Sequence, residues 1–365
     1  MVSFKGILNN LKQYPLEQGG PIIGWTCTYL PLEILEAGGL QPYRIIPEPT
    51  SERADSYLDP NFCPFIRASL GKVLGGGYPS LSGIVLLNTC DGMRRLFDAW
   101  RFYCAPSFSF LLDLPRVITP SSLAYFRERL QELKEELERH FEVQITQDAL
   151  VEAIEEANLT RSLIQRLLLL KGRGDPPLQE ADIMDILAEG WGSPRKIFNE
   201  ALQRLVKELE PHPPAPLNGP KLLVTGSLLE GSSLIRLVEE LAGEVVVSDL
   251  CTGGRFLEEV PPFSNPLGAL SEAYLNKPLC ARMWDTQRRI ANIKAEISRT
   301  GAQALIYFAL KFCDPYLYEA PVLKEALQEI GIPVLFIEGE YTGKVSGGVR
   351  TRVQAFLEML ERDYG

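Results

Sequence analysis

The stretch ALIYFALKFCDP, residues 304–315, decides the fold expected for this chain. Its first seven residues are apolar, which is too few to span a bilayer and typical of a strand buried in a parallel sheet. Two residues separate this strand from Cys313, and Asp-Pro then begins a helix. The pattern therefore predicts a cysteine thiol at the carboxyl end of a central strand, beside a helix N-terminus that favours the thiolate.

The same alternation of strand and helix occupies both ends of the chain. Predicted strands lie at 21–25, 43–46, 83–88 and 108–115, and again at 221–226, 244–250, 304–310 and 333–339. Alternation of this kind favours parallel α/β sheets. The segments GIVLLNTCDGMRRLFD (83–98) and LIYFALKFCDPYLYE (305–319) both continue from a strand through Cys-Asp into a helix, so the two halves are predicted to carry related half-sites.

A long helical region separates these two halves. The segment SSLAYFRERLQELKEELERH (121–140) is amphipathic, more helical pattern follows, and no strand signal interrupts it. The segment PHPPAPLNGP holds five prolines and indicates a linker. The predicted organisation is an N-terminal α/β domain at 1–118, a helical insert at 119–210, a proline-rich linker at 211–220 and a C-terminal α/β domain at 221–365.

Composition excludes several classes of function. The 365 residues carry a net charge of −10 without a basic block, which disfavours nucleic-acid binding. The first twenty residues lack the apolar core of a secretory signal, and no apolar run could span a membrane, so a cytoplasmic protein is expected. The glycines in VTGSLLEGSSLIRL (224–237) match neither nucleotide-binding fingerprint, and this chain is expected to bind no NAD or ATP.

The seven cysteines are the strongest functional signal. There is no CxxC motif and the chain has only two histidines, which disfavours zinc-ribbon and ferredoxin sites. Four cysteines come just after predicted strands, at the sheet edge where α/β proteins bind ligands: Cys27, Cys90, Cys251 and Cys313. Two more are predicted at helix starts: Cys63 and Cys280. Cys104 lies among aromatic residues and is predicted to be a buried apolar thiol.

A single free cysteine is most often a small buried hydrophobe, and independent core cysteines remain the alternative. Six thiols in similar positions instead favour a shared metal cluster. Because thiolates are soft ligands and histidine is scarce, iron–sulfur is favoured over mononuclear zinc or copper.

Two blocks of sequence resemble a known superfamily. GWTCTYLPLEILEAGGLQPYRI (24–45) resembles the opening of the 2-hydroxyacyl-CoA dehydratase and benzoyl-CoA reductase superfamily, and residues 311–360 resemble its C-terminal block. The resemblance implies two flavodoxin-like domains with iron–sulfur chemistry where they meet. It also implies a separate ATP-hydrolysing iron–sulfur activator as electron donor, a small-molecule substrate, and paired subunits, here a homodimer.

Within that superfamily, dehydratase subunits typically hold one cubane on three cysteines, by resemblance Cys27, Cys90 and Cys313. The extra cysteines in NFCPFIRASLG, SDLCTGGRF and NKPLCARMWD resemble the double-cubane cluster branch. Two [4Fe-4S] cubanes joined by a sulfide leave six irons that need thiolates. That number equals the six candidate ligands, and one division pairs the dehydratase set with Cys63, Cys251 and Cys280.

The expected function is a double-cubane [8Fe-9S] reductase that acts on a small substrate such as an unsaturated molecule. The alternatives are a 2-hydroxyacyl-CoA dehydratase subunit with a single [4Fe-4S] cluster, and a non-catalytic electron-transfer protein. Four charged residues at or past the end of a predicted strand are candidate proton donors or substrate contacts, with surface charge as the other interpretation: Glu338, Glu340, Arg350 and Arg352.

Overall fold

The computed structural model describes residues 20–48, 52–215 and 219–364. The first nineteen residues, which are predicted to lack a secretory signal, and part of the proline-rich segment lie outside these ranges. The first sheet contains β1 (Ile22–Trp25), β2 (Gln41–Arg44), β3 (Gly83–Leu87) and β4 (Phe108–Leu112). The second contains β5 (Lys221–Gly226), β6 (Glu244–Asp249), β7 (Ala304–Leu310) and β8 (Val334–Gly339). Each of the eight overlaps a predicted strand, although β2 begins two residues before the predicted 43–46 and ends at Arg44.

Both sheets are parallel and have the same strand order. The first runs β2-β1-β3-β4 and the second β6-β5-β7-β8. Every residue of β3 and β7 is buried, because helices cover both faces of these inner strands. The α/β class and the similarity of the two halves are thereby confirmed, and the shared order is consistent with two flavodoxin-like sheets.

Twelve α-helices connect and cover the strands among the described residues. The first six are α1 (Leu32–Ala37), α2 (Pro64–Leu74), α3 (Asp91–Cys104), α4 (Pro120–Phe141), α5 (Gln147–Leu169) and α6 (Glu180–Gly190). The others are α7 (Arg195–Leu209), α8 (Ser233–Glu240), α9 (Pro266–Asn276), α10 (Thr286–Thr300), α11 (Asp314–Gln328) and α12 (Gly347–Tyr364). Local sequence sets several ends: Thr119 and Thr146 cap α4 and α5 with their side-chain oxygens, and left-handed Gly301 ends α10.

Four helices, α4 to α7, fill the region predicted to be a helical insert, while the exact domain boundaries stay predictions. Buried residues of α4 and the start of α5 join one apolar cluster with both sheets, and the end of α5 forms a second cluster with α6 and α7. The helical region therefore packs against the α/β parts of the molecule rather than standing apart from them.

A buried ion pair fixes this packing. Glu33 in α1 is 0% exposed and accepts hydrogen bonds from Arg161 in α5, at 2.6 Å, and from the hydroxyl of Tyr274 in α9, at 2.7 Å. These three helices belong to the N-terminal half, the helical region and the C-terminal half. Burial alone would raise the pKa of Glu33, but the Arg161 guanidinium together with hydrogen bonds from the backbone and from Tyr274 outweighs burial, and the pKa is lowered.

None of the helices in the described ranges combines the length and hydropathy needed to cross a bilayer.

Candidate metal centre

One cavity at the carboxyl ends of the two sheets collects the candidate ligands. Its volume is about 560 Å³. All six thiols predicted as ligands line it: Cys27, Cys63, Cys90, Cys251, Cys280 and Cys313. Cys104 does not line this cavity; it is partly buried at the end of α3, packed against the core. The structure thus separates the seven cysteines as the sequence context predicts, although Cys104 is less buried than expected.

Local chain geometry brings the thiols to this edge. Cys27 and Cys251 lie two residues beyond β1 and β6. Cys90 and Cys313 follow β3 and β7 and are the N-cap residues of α3 and α11. Phe312 has a φ of 57°, an unusual left-handed conformation for a bulky residue, and this strained turn aims Cys313 at the cavity.

Cys280 reaches the cavity by a different route from the one predicted. It lies in the loop between α9 and α10, and the N-cap of α10 is Asp285, so the predicted helix start is wrong. Burial would raise the pKa of Cys280, but the guanidiniums of Arg282 and Arg255 overcome it and lower the pKa to about 7. The thiolate is therefore favoured by nearby cations rather than by a helix.

The six thiols form two groups of three. The helix-cap group consists of Cys63, Cys90 and Cys313, each the N-cap of a helix. The thiols of Cys63 and Cys313 interact directly with each other, and this interaction is the main cause of a lowered pKa at Cys63 and a raised pKa at Cys313. The N-termini of three helices point positive partial charge at this group.

The loop group consists of Cys27, Cys251 and Cys280, none of which begins a helix. Burial lowers the pKa of Lys277 to about 7, and electrostatic interaction with all three thiols of this group acts against that lowering. Burial is the main reason that the pKa of Cys27 is raised to about 11, and Lys277 counteracts it. The loop group thus depends on side-chain cations where the helix-cap group has helix dipoles.

Three cations beside the cavity have no carboxylate partner among the described residues. Lys277, 4% exposed, donates to the Thr28 carbonyl and lies 4.2 Å from the Tyr29 ring centroid. Arg282 donates to Cys280 Sγ at 3.6 Å and to Cys313 Sγ at 3.7 Å, so it connects the two groups. Arg44, also 4% exposed, stacks on Trp191 and donates to the Cys251 carbonyl.

Other buried arginines nearby are paired. Arg255 and Arg289, both 2% exposed, form ion pairs with Asp249, and Arg289 also pairs with Glu319. A buried charge without a counter-charge is costly. The unpaired state of Lys277, Arg282 and Arg44 therefore fits a cavity that accepts a group with negative charge, such as an iron–sulfur cluster held by thiolates.

Unpartnered polar atoms support the same fit. The Nε of Arg282, two nitrogens of Arg44 and the hydroxyls of Thr26 and Thr252 are buried without hydrogen-bond partners. Thr26 and Arg282 line the cavity, and Thr252 follows a candidate ligand. Native proteins rarely leave such atoms unsatisfied. The sulfides and thiolates of an iron–sulfur cluster would provide acceptors at this place.

The thiols do not surround a single point. Within residues 20–48, 52–215 and 219–364, no three His, Cys, Asp or Glu side chains converge closely enough to hold one metal ion. A single ion needs all its sulfur ligands about 2.3 Å from one centre. Thiols spread around a cavity of this size suit a group with several metal atoms better.

A comparison with protein families shows to which family the chain belongs. A family model described as 2-hydroxyglutaryl-CoA dehydratase, D-component, matches residues 27–360, which is nearly the whole chain. The chain belongs to this family.

Curated relatives of the dehydratase family cover the chain almost completely. The (R)-phenyllactyl-CoA dehydratase beta subunit of Clostridium sporogenes is 25% identical over 98% of this chain and 97% of its own length. The putative dehydratase subunit YjiM of Escherichia coli is 27% identical over 94% and 92%, respectively. A benzoyl-CoA reductase subunit of Thauera aromatica is 25% identical over 93% and 91%. These names confirm the superfamily that the sequence resembles and support an enzymatic role.

The charged candidates near the C-terminus lie away from the cysteine cavity of this family member. Glu338 and Glu340 line a smaller cavity of about 270 Å³ beyond β8, where Glu340 pairs with Lys311. Arg350 pairs with Glu240, and Arg352 donates to the Phe336 carbonyl. All four are exposed. The structure therefore does not bring them to the candidate metal centre.

Sequence reasoning missed the residues that surround the thiols. Lys277 and Arg282 both lie in NKPLCARMWD, on either side of Cys280. Basic residues that flank a candidate ligand could have indicated cations beside the thiols. Tyr316 follows Cys313 by three residues, one helical turn into α11. Arg44 gave no local signal, because it is 207 residues from Cys251 in sequence.

Proposed function

We propose that this dehydratase-family chain is an iron–sulfur reductase that holds a double-cubane [8Fe-9S] cluster on its six cavity thiols. The single observation that carries the proposal is that all six line one cavity beside three cations, the buried Lys277 and Arg44 and the partly buried Arg282, which have no carboxylate partner among the described residues. The cysteine count supports two cubanes, since six thiolates and one bridging sulfide satisfy eight irons.

The contacts favour a division of ligands that differs from the one set out above from sequence. We assign the helix-cap group to one cubane and the loop group to the other. The direct interaction between the Cys63 and Cys313 thiols supports the first assignment. The shared interaction of Cys27, Cys251 and Cys280 with Lys277 supports the second.

When bound, such a cluster would supply low-potential electrons, and the chain's own residues would prepare its environment. Lys277, Arg44 and Arg282 would offset the negative charge of the cluster. The cavity walls would limit water access. The electron donor would be an ATP-hydrolysing iron–sulfur activator, the electron acceptor a small molecule in the cavity, and the active form a homodimer.

The other candidate is a subunit of a 2-hydroxyacyl-CoA dehydratase with a single [4Fe-4S] cluster. The observation in its favour is that relatives matching nearly the whole chain carry dehydratase names. It requires only three of the six cavity thiols as ligands, and it leaves the other three beside buried cations without a role.

The proposal predicts the metal content. Protein purified without oxygen is expected to contain about eight irons and about nine inorganic sulfides per chain. Iron and sulfide analysis together with EPR of the reduced protein measures this. About four irons would instead favour the single-cubane dehydratase subunit, and an iron-free chain after reconstitution would contradict both.

The buried cations predict opposite effects with and without metal. In iron-free protein, Lys277→Met is expected to raise the free energy of unfolding by about 1–2 kcal/mol, because a desolvated charge is replaced by an apolar chain of similar length. After anaerobic reconstitution, the same variant is expected to retain less iron than the wild type.

Urea unfolding of the iron-free form and iron analysis of the loaded form measure the two effects of Lys277→Met. Lys324→Met is the matched control, because Lys324 is exposed on α11, and neither quantity is expected to change. Wild-type iron retention in Lys277→Met would contradict the charge-compensating role.

A further inference from the structure

The hydroxyl of Tyr316 lies between a candidate ligand and a guanidinium. Tyr316 is in the first turn of α11 and only 1% exposed. Its oxygen is 3.1 Å from Cys280 Sγ and 2.6 Å from Arg255 Nη1. These are the two hydrogen-bond partners of the hydroxyl within the described ranges, so the hydroxyl proton of Tyr316 has at most these two atoms as possible acceptors.

Chemistry fixes the direction of the hydrogen bond with Arg255, and it fixes that of the bond with Cys280 once the sulfur is a thiolate without a proton. An arginine side chain can only donate, so the Tyr316 oxygen must accept from Arg255. The hydroxyl proton then remains available for the sulfur of Cys280. A thiolate sulfur accepts such a bond, and the positive guanidinium on the other side makes the hydroxyl a stronger donor.

The surroundings hold this arrangement rigidly. Arg255 makes two hydrogen bonds with Asp249, at 2.7 and 2.9 Å, and cannot turn away without weakening the pairing of that buried carboxylate. On the other side, the Tyr307 hydroxyl lies 2.9 Å from the backbone oxygen of Tyr316 and 2.9 Å from Glu319 Oε2. The donor is therefore positioned before any cluster is bound.

We propose that Tyr316 donates a hydrogen bond to the cluster-binding sulfur of Cys280 and thereby raises the reduction potential of the loop-group cubane. This inference rests on the proposed function, because it requires Cys280 to bind the cluster. Reduction places more negative charge on the thiolate sulfurs, so a hydrogen-bond donor stabilises the reduced form more than the oxidised form.

The same helix would then serve both cubanes. Cys313 of the helix-cap group is the N-cap of α11, and Tyr316, one turn later, contacts Cys280 of the loop group. Tyr316 is a positioning residue that acts through a ligand and has no contact with substrate in this assignment.

The test compares two matched tyrosine variants. Tyr316→Phe removes only the hydroxyl, and the loaded variant is expected to keep its iron and sulfide while its midpoint potential becomes more negative than that of the wild type. A redox titration followed by EPR measures the potential. Tyr307→Phe is the control, because it removes a neighbouring buried hydroxyl that contacts the Tyr316 backbone but no thiol among the described residues, and its potential is expected to shift much less than that of Tyr316→Phe.

A second substitution strengthens the bond instead of removing it. Site-specific 3-fluorotyrosine at position 316 keeps the shape of the side chain but makes the hydroxyl a better donor, so the potential is expected to become less negative. This measurement decides the question if Tyr316→Phe loads poorly. Opposite shifts on either side of the wild type would support a hydrogen bond, and a mere structural role would not produce them.

The outcomes separate this inference from the proposed function. A wild-type chain that binds no cluster would overturn the proposed function and this inference with it. A loaded wild type with an unchanged potential in Tyr316→Phe or in the fluorotyrosine protein would overturn the inference alone. Equal shifts in Tyr316→Phe and Tyr307→Phe would also overturn it, because they would point to general loosening of the site.

Discussion

A chain that carries both Cys63→Ser and Cys313→Ser is expected to keep about half of its iron, roughly four atoms. Both changes fall in the helix-cap group, so they remove two ligands from one cubane and leave the loop group complete. A chain with Cys63→Ser and Cys251→Ser loses one ligand from each group, and it is expected to lose most of its iron. Iron and sulfide analysis with EPR after anaerobic reconstitution distinguishes the two chains.

The two double variants are matched in number and kind of substitution, so a difference between them reports the grouping itself. Cys104→Ser is the single-site control, because Cys104 does not line the cavity, and full iron content is expected. Equal iron loss in both double variants would contradict the two groups. Reversed results would favour the other division of the six thiols.

Glu33→Gln is expected to lower the free energy of unfolding by about 3–5 kcal/mol, the usual cost of leaving a buried charge unpaired. The glutamine has nearly the same shape, but it removes the counter-charge of Arg161 and turns one acceptor of the network into a donor. Because the three helices of this network come from different parts of the chain, the transition is also expected to broaden. Urea unfolding at neutral pH measures both effects.

The loss in Glu33→Gln also depends on pH in a predictable direction. The pKa of Glu33 is lowered in the folded protein, so its stabilisation is present above the ordinary glutamate pKa of about 4.3 and is lost at lower pH. The gap between variant and wild type is therefore expected to narrow as the solution becomes more acidic than this value.

The control for this experiment is Glu132→Gln, which removes a surface carboxylate from its pair with Arg129. Exposed pairs contribute little, so its stability is expected to match that of the wild type. A small effect of Glu33→Gln, similar to this control, would mean that Arg161 finds another partner and that the buried pair does not hold the helices together.

The sequence predicts those parts of the fold that depend on local pattern. The apolar run of seven residues predicts the length of β7, all of which is buried, and it places Cys313 just beyond the end of the strand. The same is true of Cys63, where Pro64 marks the first helical residue. Local pattern failed at Cys280, because Pro278 and the residues after it extend the loop until Asp285 can cap α10.

The electrostatic surroundings of the thiols depend on long-range packing and were not predictable in this way. Arg44 meets the carbonyl of Cys251 across 207 residues, and Tyr316 meets Cys280 across 36. No periodicity or motif connects such pairs in a single sequence. The division of the thiols was likewise hidden, because it depends on which loops face one another across the cavity.

Neither half of the chain carries a complete set of ligands for either cubane. The helix-cap group takes Cys63 and Cys90 from the N-terminal half and Cys313 from the C-terminal half. The loop group takes Cys27 from the N-terminal half and Cys251 and Cys280 from the C-terminal half. Under the proposed ligation, metal binding and closure of the two halves are thermodynamically linked. Each half produced alone would lose both centres, and a chain whose halves separate would release its iron, so the cluster would report the integrity of the interdomain contact.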